Sequence, residues 1–304
     1  MLNRFLAAPL LIAVIAIAMG SGIDALVKGV APDAGLHHLL AWRFTFGAFI
    51  ALAVFRAKKR PMPNGEAIRF HTMRGLIQLG GAFLFFYALM HLPLAVATIV
   101  GFTAALMVPF VARAVLGETI TPIILGATVV GFGGAALAVT GMPSGNRDEG
   151  EILLGLAACF AAAFLYALIL VMLRMRATRE DATTIAMFTN LVPALALLPI
   201  TLGLFGVPDW SDIPAFLLLG ALGYTVWYLM TLAYAKAPAQ QLAPLEYTAL
   251  IWSGIFGSVF FQEYPGWQTW VGAAIIIAAC LIVAFTDHFK TRHEARLPAS
   301  DLPE

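Results

Sequence analysis

The amino-acid sequence predicts an all-α integral membrane protein of ten transmembrane helices, arranged as a 5+5 inverted-topology repeat. Three observations carry that expectation. Apolar residues make up 61% of the 304 residues and charged ones 12%, more apolar surface than a soluble fold can hide. Apolar runs long enough to cross about 30 Å of hydrocarbon recur along the whole chain with mostly short connections. The two halves also share a pattern of proline, threonine and acidic residues at a fixed offset.

The spans, each bounded to within several residues, run at about 6–27, 36–55, 72–91, 94–115, 121–140, 151–173, 183–205, 213–235, 240–261 and 267–286. The first, Leu6 to Val27, follows Arg4 as a signal peptide would, but further spans succeed it, so it reads as a retained helix. Short connections make successive helices antiparallel and leave no room for an extramembrane catalytic domain. Orientation follows from the basic residues. With the amino terminus in the cytoplasm, Arg4, Arg56, Lys58, Lys59, Arg60, Arg69, Arg74, Arg113, Arg174, Arg176, Arg179, Lys236, Lys290, Arg292 and Arg296 all fall inside. Only Lys28, Arg43 and Arg147 fall at or toward the other face, so both termini are expected in the cytoplasm, with 287–304 as a tail.

When the sequence is shifted by 145, Pro93 falls on Pro238, Phe102 on Tyr247, Thr103 and Ala104 on Thr248 and Ala249, and Glu118 on Glu263. In each half a proline turn starts a helix, an aromatic-Thr-Ala step lies about ten residues along it, and an acidic residue closes it. Five spans per half is an odd number, so the second half must enter the membrane in the opposite sense. Such repeats give a transporter two half-structures that open to opposite faces around a site near the midplane. The polar break from Ser144 to Glu151 is the joint, which divides the chain into repeats 1–145 and 146–286. The copies differ where the first has Gly101 and the second Glu246.

The ten spans in two fives, the Gly117-Glu118 pair closing span four, its Gln262-Glu263 counterpart after span nine and the Trp42-Arg43 pair of span two together resemble the drug/metabolite transporter superfamily, specifically its EamA-type ten-helix transporters. Gln262 departs from the glycine the family shows there. The resemblance implies a secondary transporter of small organic metabolites in the bacterial inner membrane, working without ATP hydrolysis, cofactor or catalytic residue. It leaves the substrate open: amino acids or related amphipathic and aromatic compounds come first, and uptake of riboflavin or S-adenosylmethionine is the alternative.

Ionisable groups at membrane depth cost at least about 2.5 kcal/mol, so each needs a partner, a wet cavity or a task. Asp24 and Lys28 share a helix face and either pair with each other or serve substrate or proton coupling. Arg43 either clamps a carboxylate or phosphate or snorkels to the headgroups. Glu246, about 9 Å into span nine, is expected to be buried and is a second candidate for proton coupling or for recognition of a cationic amine; its alternative is a structural hydrogen bond. Trp42, Phe86, Tyr87, Tyr166, Trp227, Tyr228 and Tyr247 are the aromatic candidates for a substrate cavity; spans three, four, eight and nine match the helices that surround the central cavity in the family the chain resembles. Packing and interfacial belts account for most aromatics of this kind. Pro109, Pro193 and Pro199 lie inside spans and invite kinks. Ala127, Gly131 and Ala135 give span five a close-packing face.

Other classes fit poorly. A net charge of +1 without a basic stripe argues against nucleic acid. Gly131, Gly133 and Gly134 lie mid-span with no strand or lysine, so they make no phosphate loop. The histidines sit mostly at span ends and imply no metal site, and Cys159 and Cys280 read as small apolar residues. A membrane enzyme acting on lipid-linked substrates would need a cluster of acidic, histidine or lysine side chains at one face, which the short loops do not offer. A purely structural subunit leaves the repeat without purpose. The expected partners are a small-molecule substrate and the lipid bilayer, with a homodimer left open.

Overall fold

The computed structural model describes residues 2–59, 61–142, 148–176, 180–234, 242 and 245–294, which are helical almost throughout. The helices are α1 (Leu2–Ala34), α2 (Leu36–Ala57), α3 (Gly65–His91), α4 (Leu94–Gly101), α5 (Thr103–Leu116), α6 (Pro122–Thr140), α7 (Glu149–Arg176), α8 (Ala182–Phe205), α9 (Ile213–Tyr234), α10 (Ala249–Phe261) and α11 (Trp267–Glu294). Among the described residues nine stretches are long and apolar enough to cross a membrane, with α4 and α5 together forming one, and α10 adds a shorter apolar helix. The all-helical membrane fold expected from the sequence is the fold observed.

Helix starts follow local chemistry that hydropathy does not register. α3 begins seven residues before the apolar run because the Asn64 side chain accepts from Ala67 N–H at 2.9 Å, with Glu66 in the first turn. Asp181 caps α8 through Thr183 N–H at 2.9 Å, and Thr121 with Pro122 starts α6. α1 runs past the expected end at Val27 to Ala34, where Gly35, at φ 78°, turns the chain into α2. Pro109, Pro193 and Pro199 lie inside continuous helices, so the break in span four comes from another place.

That break is Phe102, whose N–H is shared between the carbonyls of Thr98 and Ile99, while Thr103 Oγ1 donates to Val100 O at 2.6 Å. The same arrangement stands 145 residues later, where Thr248 Oγ1 donates to Leu245 O at 2.6 Å. Both segments close on a left-handed residue, Gly117 at φ 73° and Gln262 at φ 54°. At Gln262 that geometry costs about 1 kcal/mol that glycine avoids. Pro238, Lys236, Gln240, Gln241, Pro244 and Arg147 lie outside the described residues.

The helices pack in pairs: α1 with α9, α3 with α7, α2 with α9, α3 with α8, α1 with α10, α5 with α7, and then α2 with α8, α4 with α10 and α6 with α11. Exchanging each span for the one five later turns each of these most extensive packings into itself or another of them, whereas slighter ones, such as α1 with α3 and α1 with α2, have no counterpart of like extent among the described residues. Small residues allow the closest crossings. A Cβ on Gly131 would lie 3.1 Å from Ala279 Cβ of α11, so the expected small face of span five is used, and the closest approach is beside it, where a Cβ on Gly272 would lie 2.4 Å from Gly134 O. On α9, a Cβ at Gly220 would lie 2.9 Å from Gly47 N and 2.8 Å from Arg43 O, which brings α2 and α9 into backbone contact beside Arg43.

Candidate functional site

Helix rise fixes the depth of the central polar groups. Asp24 lies about 15 Å before the end of α1, Arg43 about 10 Å after the start of α2, and Phe86 about 8 Å before the end of α3. All three therefore sit between one mouth of the bundle and its middle. Asp24 and Arg43 are within Coulombic reach of one another, yet no hydrogen bond or ion pair joins these two described side chains. The guanidinium of Arg43 lies 5.0 Å from the Phe86 ring centroid and 4.9 Å from that of Phe44. Its Nε is buried with no hydrogen-bond partner, as is the indole Nε1 of neighbouring Trp42. Gly223 of α9 makes room for it: a Cβ there would lie 3.3 Å from Arg43 Nη2.

Two further contacts tie the surrounding elements. Cys159 of α7, fully buried, donates to Ala97 O of α4 at 3.5 Å. Ser21, three residues before Asp24 on the same face, donates to Ala249 O at the start of α10 at 3.4 Å.

One turn nearer the mouth stands Lys28, which does not pair with Asp24 as its spacing suggested. It turns to Glu263 instead, Nζ to Oε1 3.1 Å, and donates to Leu89 O at 2.9 Å and to Leu92 O. Glu263 Oε2 accepts from Leu94 N–H at 2.8 Å. The physical reason is the open end of α3, whose carbonyls attract the ammonium of a side chain long enough to reach them. Lys28 and Glu263 are 8% and 6% exposed, so the pair forms a desolvated bridge above Asp24 and Arg43. Both residues stand out in the sequence, but nothing local says that they meet, since 235 positions separate them.

Polar bridges also cross the opposite face. His71 meets Glu180 through Nε2, and Arg176 joins Glu180 at 3.5 Å and Glu66 at 2.6 Å. Arg74, 2% exposed, donates through Nη2 to Thr189 Oγ1 at 2.6 Å and to Ile185 O at 3.1 Å. Lys58 donates to Thr183 Oγ1 at 3.2 Å. The basic residues that mark topology in the sequence thus include buried structural partners.

The remaining candidates fall into separate groups. Tyr87 packs against His91, centroids 4.2 Å apart with the rings tilted by 32°, at the end of α3. Tyr228 stacks on Tyr224 at 6.1 Å beneath Lys58, on the opposite face from Arg43. Trp227 is half-buried on α9. Tyr247 meets Phe102 edge-on at 5.2 Å, so the two helix breaks touch. Glu246, in a helical residue pair just before the Tyr247 break, is exposed, not buried as the sequence suggested. An almost wholly apolar groove of about 630 Å³ lies on a different face of α1, between Gly22, Leu26, Leu222 and Phe256. Its chemistry suits acyl chains rather than the charged cluster.

The model of the EamA-like transporter family matches residues 6–140 and again 153–285. An S-adenosylmethionine uptake transporter of Rickettsia felis is 27% identical over 84% of this chain and 85% of its own length. A riboflavin transporter of Brucella anthropi is 30% identical over 83% of this chain and 88% of its own. A pseudopaline exporter of Pseudomonas aeruginosa is 24% identical over 91% and 95%. A solved crystal structure superposes with a TM-score of 0.62 at 21% identity, covering 92% of this chain and 99% of the other, which bears on the fold alone.

Proposed function

The chain belongs to the EamA-like transporter family, and from that premise we propose that it moves a small organic metabolite, an amino acid or a related amphipathic or aromatic compound, by alternating access between two five-span halves. It is a multi-pass membrane transporter rather than an enzyme. The observation that carries the mechanism is where the polar bridges lie. Lys28–Glu263 on one face, and His71–Glu180, Arg176–Glu66, Arg74–Thr189 and Lys58–Thr183 on the other, each connect residues of 1–145 with residues of 146–286. Between them lie Asp24 and Arg43. A site closed on both faces by contacts between halves opens to one side when one set parts and the other holds.

The repeat itself, with its second half inverted, is supported by the paired family matches, the recurring helix breaks and the pairing of the most extensive helix packings. The orientation with both termini in the cytoplasm of a bacterial inner membrane rests on the basic-residue bias. Uptake of S-adenosylmethionine or riboflavin is the second reading, favoured by the relatives of that name and by the aromatic rings around Arg43 and Tyr247. Reconstitution into liposomes and uptake of labelled amino acids, S-adenosylmethionine and riboflavin, with and without a pH gradient, tests the proposal. Saturable entry of at least one solute is expected. Entry of none above protein-free liposomes refutes it.

A further inference from the structure

One partner of the His71–Glu180 bridge changes charge near neutral pH, and its surroundings favour one of its two forms. We infer that His71 is a proton-binding site that operates this closure: the imidazole is neutral while the halves are in contact, and taking up a proton parts them. The inference rests on the transport reading, in which the two faces open in turn, and adds to it what sets the balance on this face.

His71 lies in the first part of α3, before the apolar run that begins at 72, and is 1% exposed. Its Nε2 meets the carboxylate of Glu180, and its ring stacks on Phe188 of α8 with centroids 5.2 Å apart and planes inclined by 19°. One turn further on, a Cβ at Gly75 would lie 2.6 Å from Val192 Cβ, so the ring cannot reach water without α3 and α8 separating. A neutral imidazole fits this site: Nε2–H donates to the carboxylate, and Nδ1, buried without a hydrogen-bond partner, is left as a lone pair. A protonated one does not, since Nδ1–H becomes a buried donor with no acceptor. The surrounding charges act in the same direction. Arg176 donates to Glu180 at 3.5 Å and to Glu66 at 2.6 Å, and Arg74, one turn along α3 and 2% exposed, is held by Ile185 O and Thr189 Oγ1. Two guanidinium groups thus face two carboxylates, and a proton on His71 adds a third cation. The α8 segment brings no titratable side chain; Asp181 before it is turned to Thr183 N–H, and Lys58 to Thr183 Oγ1. When the halves part, Glu180 and Phe188 leave and the imidazole gains water, which restores an ordinary histidine pKa of about 6.5. The parted form therefore binds the proton more tightly, and lowering the pH favours parting.

The test is solvent access at the closure, read with Thr184→Cys in a background of Cys159→Ala and Cys280→Ala, with the full chain in lipid nanodiscs so that both faces meet one pH. Thr184 is 6% exposed and stands one turn before Phe188 on the same face of α8. At each pH the rate of labelling by a water-soluble maleimide is divided by the rate for the same cysteine in detergent-unfolded protein, which removes the titration of the thiol itself. The normalised rate should rise about 10-fold from about pH 8 to about pH 5.5, the full span for one group of ordinary pKa that the closed form keeps neutral. His71→Gln, which keeps a neutral donor for Glu180, should flatten the profile. Glu180→Gln, which removes the anion that His71 touches, should move the rise to higher pH. A flat parent profile, a rise toward alkaline pH, or an unaltered profile in either folded variant overturns the inference. If His71→Gln does not fold, the parent profile and Glu180→Gln decide it. Glu263→Gln, on the opposite bridge, is the control. If it lowers labelling of the reporter while pH has no effect, the inference fails and alternate opening stands; if neither alters labelling, both fail.

Discussion

Replacing Glu263 with glutamine tests the bridge above the central site at the level of energy. The substitution keeps shape and one acceptor for Leu94 N–H, now 2.8 Å from the carboxylate, but it removes the charge facing Lys28 at 3.1 Å. Stripping one partner from a buried ion pair costs about 3–5 kcal/mol, mostly the penalty of leaving the other charge uncompensated. Lys28 keeps the carbonyls of Leu89 and Leu92, so the lower end, about 3 kcal/mol, is expected. In a chain of this size that corresponds to a fall in melting temperature of about 5 °C. Intrinsic fluorescence of the six tryptophans in detergent reads it directly. Lys28→Met with Glu263→Gln removes the orphaned charge, and the double variant should recover most of the loss. A single variant that melts within about 2 °C of the parent, or a double variant whose loss is the sum of the two singles, would show that the pair is not coupled and that the reasoning fails.

Three other expectations follow from the packing and the opposite face. Arg74→Lys should destabilise by about 1–2 kcal/mol in the same melting experiment, because a single ammonium cannot reproduce the bonds to Thr189 and Ile185 from the guanidinium position; an unchanged melt would contradict this. Gly272→Leu should cost about 3 kcal/mol or prevent folding, since its Cβ would meet backbone atoms of α6. Gly133→Ala, with nothing within 4 Å, should be neutral or slightly stabilising, and the reverse ranking would refute the crossing. Glu246→Gln should remove any stimulation of transport by a pH gradient while leaving the melting temperature unchanged; retained stimulation would reduce Glu246 to a structural role.

Much of this architecture is legible in the sequence because the bilayer restricts backbone choices so strongly. Apolar length alone locates the spans, since a helix satisfies its own polar groups and little else can in lipid. Helix ends are less legible: Asn64 and Asp181 extend or start helices through side-chain caps that an apolar count ignores. Phe102 and Tyr247 align by offset, and in the structure they stand at two helix breaks in mutual contact. The prolines, the usual signal for a break, sit in helices that carry on. Partners across the bundle are the least legible. Spacing ties Lys28 to Asp24 because the two are one turn apart on α1. The choice of Glu263 depends on where α3 ends and on a loop far along the chain, information that no local pattern contains. For Arg43 the sequence allows either a clamp or a snorkelling residue, and only the structure shows its guanidinium beside the Phe44 and Phe86 rings and against Gly223.

The central claim is that the halves open alternately, and two-sided labelling of one interior cysteine tests it most directly. Ser21→Cys, three residues from Asp24 and 4% exposed, in a background of Cys159→Ala and Cys280→Ala, supplies the reporter. Membrane-impermeant maleimide is applied from either face of oriented vesicles. Breaking the Lys28–Glu263 bridge with Glu263→Gln should raise labelling from that face and lower it from the other, because in alternating access the two openings exclude each other. A rise from both faces together, or no change from either, contradicts alternating access.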